Sequence, residues 1–378
     1  MMKSVLVAAL MTASTVAVAS NARLADLQGS LTSATDIQEG FLEPAKMWSV
    51  GDAFLVEYGS GFAPVANTPR AQGVLVRTMG NAKLGVWFGR QSDSLLSFAN
   101  GVVLPNGTLL ATGLAGTNTK YLDNPFNVSY AMKGDNLTWG AGLFYANSQD
   151  KKGTDQFKKN AMGLNLSAVG SNWSAFFNMG LGAKIEVIGA DTANTNQEAL
   201  TMKNNMRLGG QYDMDDISVG ASYQTIGGKH TPAAGGTDDW DVETTALALA
   251  VESKVKTDNA HFFYGAGINM DSAKNKVAPE TKVDMSYMPL WLGVEADAAS
   301  WLTIRSAYKQ NFSFFDTSKQ SDTTGDLDSK SGASTNTVTA GAAFKFNKTT
   351  VDFNWAVATS GALSTAGFGT NAALTYNF

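Results

Sequence analysis

The connections between candidate strands in this chain alternate, without a break, between long and short. The short ones are Gly80-Asn81, Gly134 to Asn136, Gly170 to Asn172, Asp213 to Asp216, Ser253 to Asn259, Asp297 to Ser300 and Asn347-Lys348. The long ones are Gly59 to Arg70, Arg90 to Asp123, Asn147 to Lys159, Lys184 to Lys203, Gly227 to Asp241, Asn269 to Lys282, Lys309 to Asn336 and Ala358 to Gly369. All long loops therefore fall at one end of whatever the strands build. The strands themselves show period-two alternation, as in Leu137-x-Trp-x-Ala-x-Leu-x-Tyr145, Trp173-x-Ala-x-Phe-x-Met-x-Leu181 and Val338-x-Ala-x-Ala-x-Phe-x-Phe346. One face of each is apolar, and the other is small and polar.

A soluble two-layer sheet has no reason to keep its long loops together, and its polar face normally carries many Lys and Glu. Here only 16% of residues are charged, and 38 glycines take much of that face. The pattern predicts an all-β fold, a transmembrane antiparallel up-and-down β-barrel of about 16 strands, within a range of 14 to 18. The longest apolar runs after the leader are about seven residues, such as Ala246 to Val251, too short for a membrane helix. With no cysteine, disulfide scaffolds and thiolate metal sites are excluded. A net charge of −5 offers nothing to nucleic acid. His230 and His261 are the only histidines, and no Ser or Asp is recognisably paired with either, so enzymatic activity is not expected. No cofactor or metal is expected either, the acidic stretch Asp322 to Asp328 lacking the spacing of a calcium loop.

Residues 1–22 carry Lys3, the apolar run Val5 to Met11 and small residues ending at Ala22, the layout of a cleaved secretory signal. Residues 23–52 are then expected as an N-terminal periplasmic or plug-like segment, and 53–378 as the barrel. The ending Leu374-x-Tyr-x-Phe378 resembles the C-terminal strand signal of Gram-negative outer-membrane proteins. That resemblance implies an outer-membrane location and recognition by the barrel-assembly machinery. Within that group the strand count and missing catalytic set resemble a porin. The segment Asp36 to Ala45 resembles the Asn-Pro-Ala-containing N-terminal segment of the fatty-acid family of hydrophobic-compound transporters, with Glu43 in place of that Asn.

Strand parity predicts a lumen lined by Arg77, Lys83, Lys133, Arg207, Arg305 and Lys345 against Glu57, Glu252 and Asp352, a mildly basic pore. From Ser94 to Thr119 the chain has no charge but carries Leu95, Leu96, Phe98, Val102, Leu104, Leu109 and Leu110. This loop is expected to fold inward as a constriction, with a hairpin through Asn106-Gly107. Trp173, Tyr145, Trp301, Tyr308 and Phe378 suit interfacial girdles, and the phase change across Met288-Pro289 predicts a bulge. Expected partners are the lipid bilayer, outer-membrane lipids and small solutes, with a homotrimer as one possible assembly. The leading functional expectation is passive diffusion of small hydrophilic solutes. The alternatives are a channel for hydrophobic compounds with an N-terminal plug, and a closed structural or adhesive barrel.

Overall fold

The computed structural model describes residue 37 and residues 39–59, 70–90, 101–103, 109–112, 125–152, 155–188, 197–231, 240–276, 281–320, 327–330, 335–359 and 368–378. Residues 1–22, including the expected signal, lie outside them. The strands in chain order are β1 (Ala53–Gly59), β2 (Arg70–Met79), β3 (Ala82–Phe88), β4 (Gly101–Val103), β5 (Leu109–Thr112), β6 (Phe126–Lys133), β7 (Thr138–Lys152), β8 (Asp155–Val169), β9 (Trp173–Ile188) and β10 (Gln197–Met214). They continue with β11 (Ile217–Thr231), β12 (Trp240–Lys256), β13 (Ala260–Asn275), β14 (Thr281–Ala299), β15 (Leu302–Gln320), β16 (Leu327–Lys330), β17 (Thr335–Phe346), β18 (Thr349–Thr359) and β19 (Phe368–Asn377).

Sixteen of these form one closed antiparallel ring, each paired with its neighbours in the chain. The ring shuts where β1 pairs with β19, Ala53 opposite Asn377 through Gly59 opposite Asn371. β4 and β5 form a separate hairpin, and β16 extends the ladder from the far end of β15. Closure leaves no strand edge, which is the condition for strands to exist in hydrocarbon. The tightest reversals need left-handed backbone. Gly80 (φ 65°), Asp215 (φ 49°) and Asn347 (φ 53°) supply it, being among the residue types that tolerate it.

Alternation sorts the side chains. Phe54, Val56 and Tyr58 point out of β1, while Leu55 and Glu57 are buried inside. The same holds for Tyr212, Leu208, Val251, Leu249, Tyr264, Ile268 and Leu292, all well exposed on a surface with no second sheet to cover them. On β9 the belt runs from Trp173 to Leu181, which matches the 9 to 11 residues a tilted strand needs to cross a bilayer. Aromatic pairs mark its rims, among them Tyr130 with Trp139 (5.8 Å) and Phe88 with Phe126 (5.4 Å).

Beyond the belt the outer face turns ionic. Lys184 pairs with Glu186, Lys203 with Asp241, and Lys282 with Asp284 (2.8 Å). Strands β7 to β15 thus run on past the apolar belt into water. Several stretches expected as loops are strand instead. Asn147 to Lys159 is mostly β7 and β8, joined only by residues 153 and 154, and Asn269 to Lys282 is mostly β13 and β14. Their alternation is polar on both faces there, so it carries no hydropathy signal.

The expected bulge is displaced. β14 keeps one phase throughout, with Val283, Met285, Pro289 and Trp291 all buried on its inner side. Met285 and Tyr287 are lumenal, not lipid-facing, so their apolar character misled the phase. The register shift falls between Ser286 and Tyr287, and the extra residue is Phe314 on the neighbouring strand β15.

Position within the belt sets the cost of a charge. Leu249→Arg, at mid-belt, is expected to destabilise the folded barrel by about 2–4 kcal/mol, whereas Thr245→Arg on the same face above it should cost about 0–1 kcal/mol. Urea unfolding of both variants in lipid vesicles measures the difference.

Candidate functional site: a lumenal segment and the cavities beside it

The chain before β1 folds into the barrel as two short 3-10 turns, Glu39–Phe41 and Pro44–Ser49. Proline at the first position of the second turn fixes the backbone where no N–H is needed. Ile37, Phe41, Ala45, Met47 and Val50 are almost wholly buried, and each large side chain so removed from water contributes roughly 1.5–3 kcal/mol. Phe41 meets Trp87 (6.3 Å) and Phe144 (6.0 Å) edge-on, and the Arg90 guanidinium lies 4.5 Å from its ring centre.

The wall is shaped for this segment by small and polar residues. A Cβ on Gly140 would stand 2.4 Å from the Ala45 nitrogen and 2.8 Å from Pro44 Cβ, and one on Gly85 would strike Met47. Polar tethers come from β8 and β9. Asn165 donates to the Phe41 carbonyl (2.7 Å), and Ser167 Oγ accepts from the Ala45 N–H (2.8 Å). Asn178, with its amide nitrogen turned inward, donates to the Leu42 carbonyl (2.8 Å). At the short-turn end Trp48 has Lys83 5.6 Å and Lys133 6.0 Å from its ring centre. Lys46 bridges Glu39 (3.3 Å) and Glu43 (3.1 Å) within the segment. Burial opposes the Lys46 charge, but the two carboxylates outweigh it and hold the ammonium above its usual range.

The wall charges expected from parity fall into three groups. Glu57, Lys83, Glu252, Arg305 and Asp352 are buried on the inner face, Arg207 and Lys345 are inward and partly covered, and Lys133 is exposed at the short-turn end. Arg77 is a correction. It shares the outer face with Leu75 and Met79 and lies 5.1 Å from the Phe378 ring centre, so it decorates the rim, not the lumen. Leu374, Tyr376 and Phe378 point outward from β19.

Most inner cations are neutralised. Arg305 is held by Glu295 (2.6 Å) and Asp352 (2.8 Å), Lys345 by Asp297 (2.8 Å), and Lys83 approaches Asp52 at 3.9 Å. Glu252 accepts from the Trp291 indole (2.7 Å), and Glu57 from Gln72 (2.6 Å). Glu295, Asp297, Asp213 and Asp271 join the inner face beside the expected acids, so the wall lacks the basic bias that parity alone suggested. Lys309, also inward, has no carboxylate partner among the described residues.

Of the expected constriction loop, Leu95, Leu96, Phe98 and Leu104 lie outside the described residues. Val102 sits in β4 and Leu109 and Leu110 in β5, which pair through Val102 opposite Ala111 and Val103 opposite Leu109. β5 packs against β12 and β13, far round the ring from β3.

Above the polar mid-wall the inner face becomes apolar. Ala146, Ala161, Ala183, Met202, Gly228 and Val242 stand directly opposite one another across β7 to β12, and all are buried. A cavity of about 90 Å³ opens beside this row and the inner segment, with Phe41, Leu42, Phe144 and Ala183 in its lining, and Arg90, Asn165, Asn178, Asn205, Arg207 and Gln224 as its polar points. Its lining also includes Met162 and Met179. Both belong to the outer face, Met162 being 47% exposed and Met179 standing opposite Leu164 and Met206. The ladders are irregular here. The β8–β9 register shifts at Met162/Gly163, and β10 shifts against β11 between Met202 and Asn205. Between Ala183–Met202 and Met179–Met206, β9 and β10 make no paired contacts.

No family model matches the chain, and no curated protein matches it. Among solved structures it is similar to the CymD monoaromatic hydrocarbon channel, at 12% identity over 94% of this chain and 96% of that one, with a TM-score of 0.41. It is similar to a FadL homologue of Pseudomonas aeruginosa at 11% identity, over 94% of this chain and 98% of the other, with a TM-score of 0.44. OmpT of Vibrio cholerae is 14% identical over 86% of this chain and 95% of its own, with a TM-score of 0.36.

Two substitutions separate the segment from its wall. Gly140→Val should lift the segment while the ring stays closed, speeding amide exchange at residues 42–50 by at least about tenfold with strand amides unchanged. Arg305→Leu leaves Glu295 and Asp352 facing each other without their cation and should cost about 3–5 kcal/mol of barrel stability, read by urea unfolding.

Proposed function

We propose that this protein is an outer-membrane channel of a Gram-negative bacterium, exported through a cleaved leader at residues 1–22, that carries small, largely apolar solutes past a plug formed by residues 37–50. The observation that carries this reading is the cavity beside Phe41, whose lining joins inner residues to the outward Met162 and Met179 where the β9–β10 ladder is interrupted. A solute with an apolar body finds the Ala183 and Met202 row on one side and the rings of Phe41 from the plug and Phe144 from the wall on the other, while Asn165, Asn178 and Arg207 offer a polar end its hydrogen bonds. The paired charges of the wall favour this over selection by a basic lumen. The β4–β5 hairpin narrows the outer mouth in this scheme, and the outward row Leu374, Tyr376, Phe378 serves the assembly machinery. Selection is by shape and desolvation, without turnover.

The test is binding and entry of an uncharged aromatic probe. Naphthalene should bind the solubilised barrel, followed by tryptophan fluorescence, and enter proteoliposomes faster than empty ones. Ala183→Trp, which fills the cavity, should weaken binding about tenfold or more. Equal binding by that variant, or no binding by the native chain, would overturn the proposal.

A further inference from the structure

On the other flank of the inner segment lies a second cavity of about 210 Å³ with a different chemistry. The segment turns its charged edge toward it, Glu39, Lys46 and Glu43. The facing wall is small at Gly220, Ser222 and Ala248, with Ala248 directly opposite Ser222 in the β11–β12 register, while Ser174 and Phe176 from β9 and Arg207 and Gln211 from β10 also line it. Below the cavity the polar character continues to the short turns. β10 turns Arg207, Gly209, Gln211 and Asp213 inward, and β11 adds only glutamine, serine and glycine down to Ser218. Gln211 donates to the Asp213 carboxylate (2.7 Å), and the Ser218 hydroxyl donates to it as well. These two rows themselves hold no bulky apolar side chain between Arg207 and the reversal at Asp215, and the Phe176 ring of β9 lies over Gly209 with the Arg207 guanidinium 5.2 Å from its centre.

Water fills a space that is roomy and supplied with polar partners, and this flank has both. The tethers that seat the segment, from Asn165, Ser167 and Asn178 and from Lys83 to the Val50 carbonyl, come from β3, β8 and β9 and none from β10 to β12, so this side can be wet while the segment stays docked. The geometry points to a permanent hydrated passage beside the seated segment, taken by small hydrophilic solutes and ions and separate from the apolar route. It shares with the proposed function the seat of the inner segment in the lumen and Arg207, which lines both cavities.

The chain has no cysteine, so a single engineered pair reports cleanly. In the full chain, Ala45→Cys with Ser167→Cys joins the segment to its wall at two positions already side by side, the Ala45 N–H lying 2.8 Å from Ser167 Oγ, without adding a carbon at a glycine of the seat. Disulfide formation is checked by thiol titration, and conductance is measured in planar bilayers in potassium chloride. The oxidised, pinned barrel is expected to conduct within about twofold of the native chain. Adding Ser222→Trp, or Ala248→Trp as a second route to the same obstruction, should cut that conductance about tenfold or more. Heat-modifiable migration on gels verifies that each variant is folded. Loss of conductance on pinning, or unchanged conductance in both folded tryptophan variants, would overturn the inference. Naphthalene binding is measured on the same preparations. It should survive Ser222→Trp, and its absence from the native chain sinks the apolar route without touching this one.

Discussion

A strand in hydrocarbon must find every backbone N–H and C=O a partner within the protein, because there is no water to supply one. The pairing of β1 with both β2 and β19 over all of Ala53–Gly59 meets that requirement at the one place where a sheet would otherwise have edges. Everything else depends on that closure. Once the ladder is complete, the outer face is free to be apolar without packing against anything, and the inner face is free of the membrane. The two faces of a strand such as β9 then obey different solvents, lipid at Phe177 and a polar lumen at Asn178.

The inner face uses that freedom in two ways. Where the N-terminal segment docks it is reduced to glycine and small polar residues, since at Gly140 a single added carbon would collide with the segment backbone. Where it carries charge it pairs it, because a lone buried ion costs more than its partner returns. Arg305 between Glu295 and Asp352 is the clearest case, all but excluded from solvent. The segment itself is held by four polar side chains, Asn165, Ser167, Asn178 and Lys83, and a handful of apolar contacts, whereas each strand is held by ladders on both sides. The difference makes the segment the easier unit to move.

Alternation and loop spacing made the ring legible, and with it the inward positions of Glu57, Glu252, Arg305 and Asp352. The same rule failed at Arg77, which keeps the outward phase of Leu75 and Met79 and snorkels its charge to the rim over Phe378. Met285 and Tyr287 failed in the opposite sense. They are apolar because the upper lumen is lined with apolar residues, and hydropathy cannot tell a greasy inside from a greasy outside. Glu295 and Asp297 were readable in type but not in role, since their meaning depends on standing across from Arg305 and Thr303 in the β14–β15 register. The cavity residues Asn165, Asn178 and Arg207 look like ordinary polar inner positions until the segment is laid against them.

By itself the amino-acid sequence determined the strands, their up-and-down order, the end at which the tight turns gather and the face each strand gives to lipid. These follow from local chemistry repeated along the chain, where a period of two and a pair of turn residues suffice. Only the tertiary structure decided the register, the displaced bulge at Phe314, the interruption between β9 and β10, and the seating of the inner segment against a wall drawn from positions as far apart as Gly85 and Asn178. Those features are contacts between segments far apart in the chain, and no local pattern of hydropathy encodes which distant residue will stand opposite.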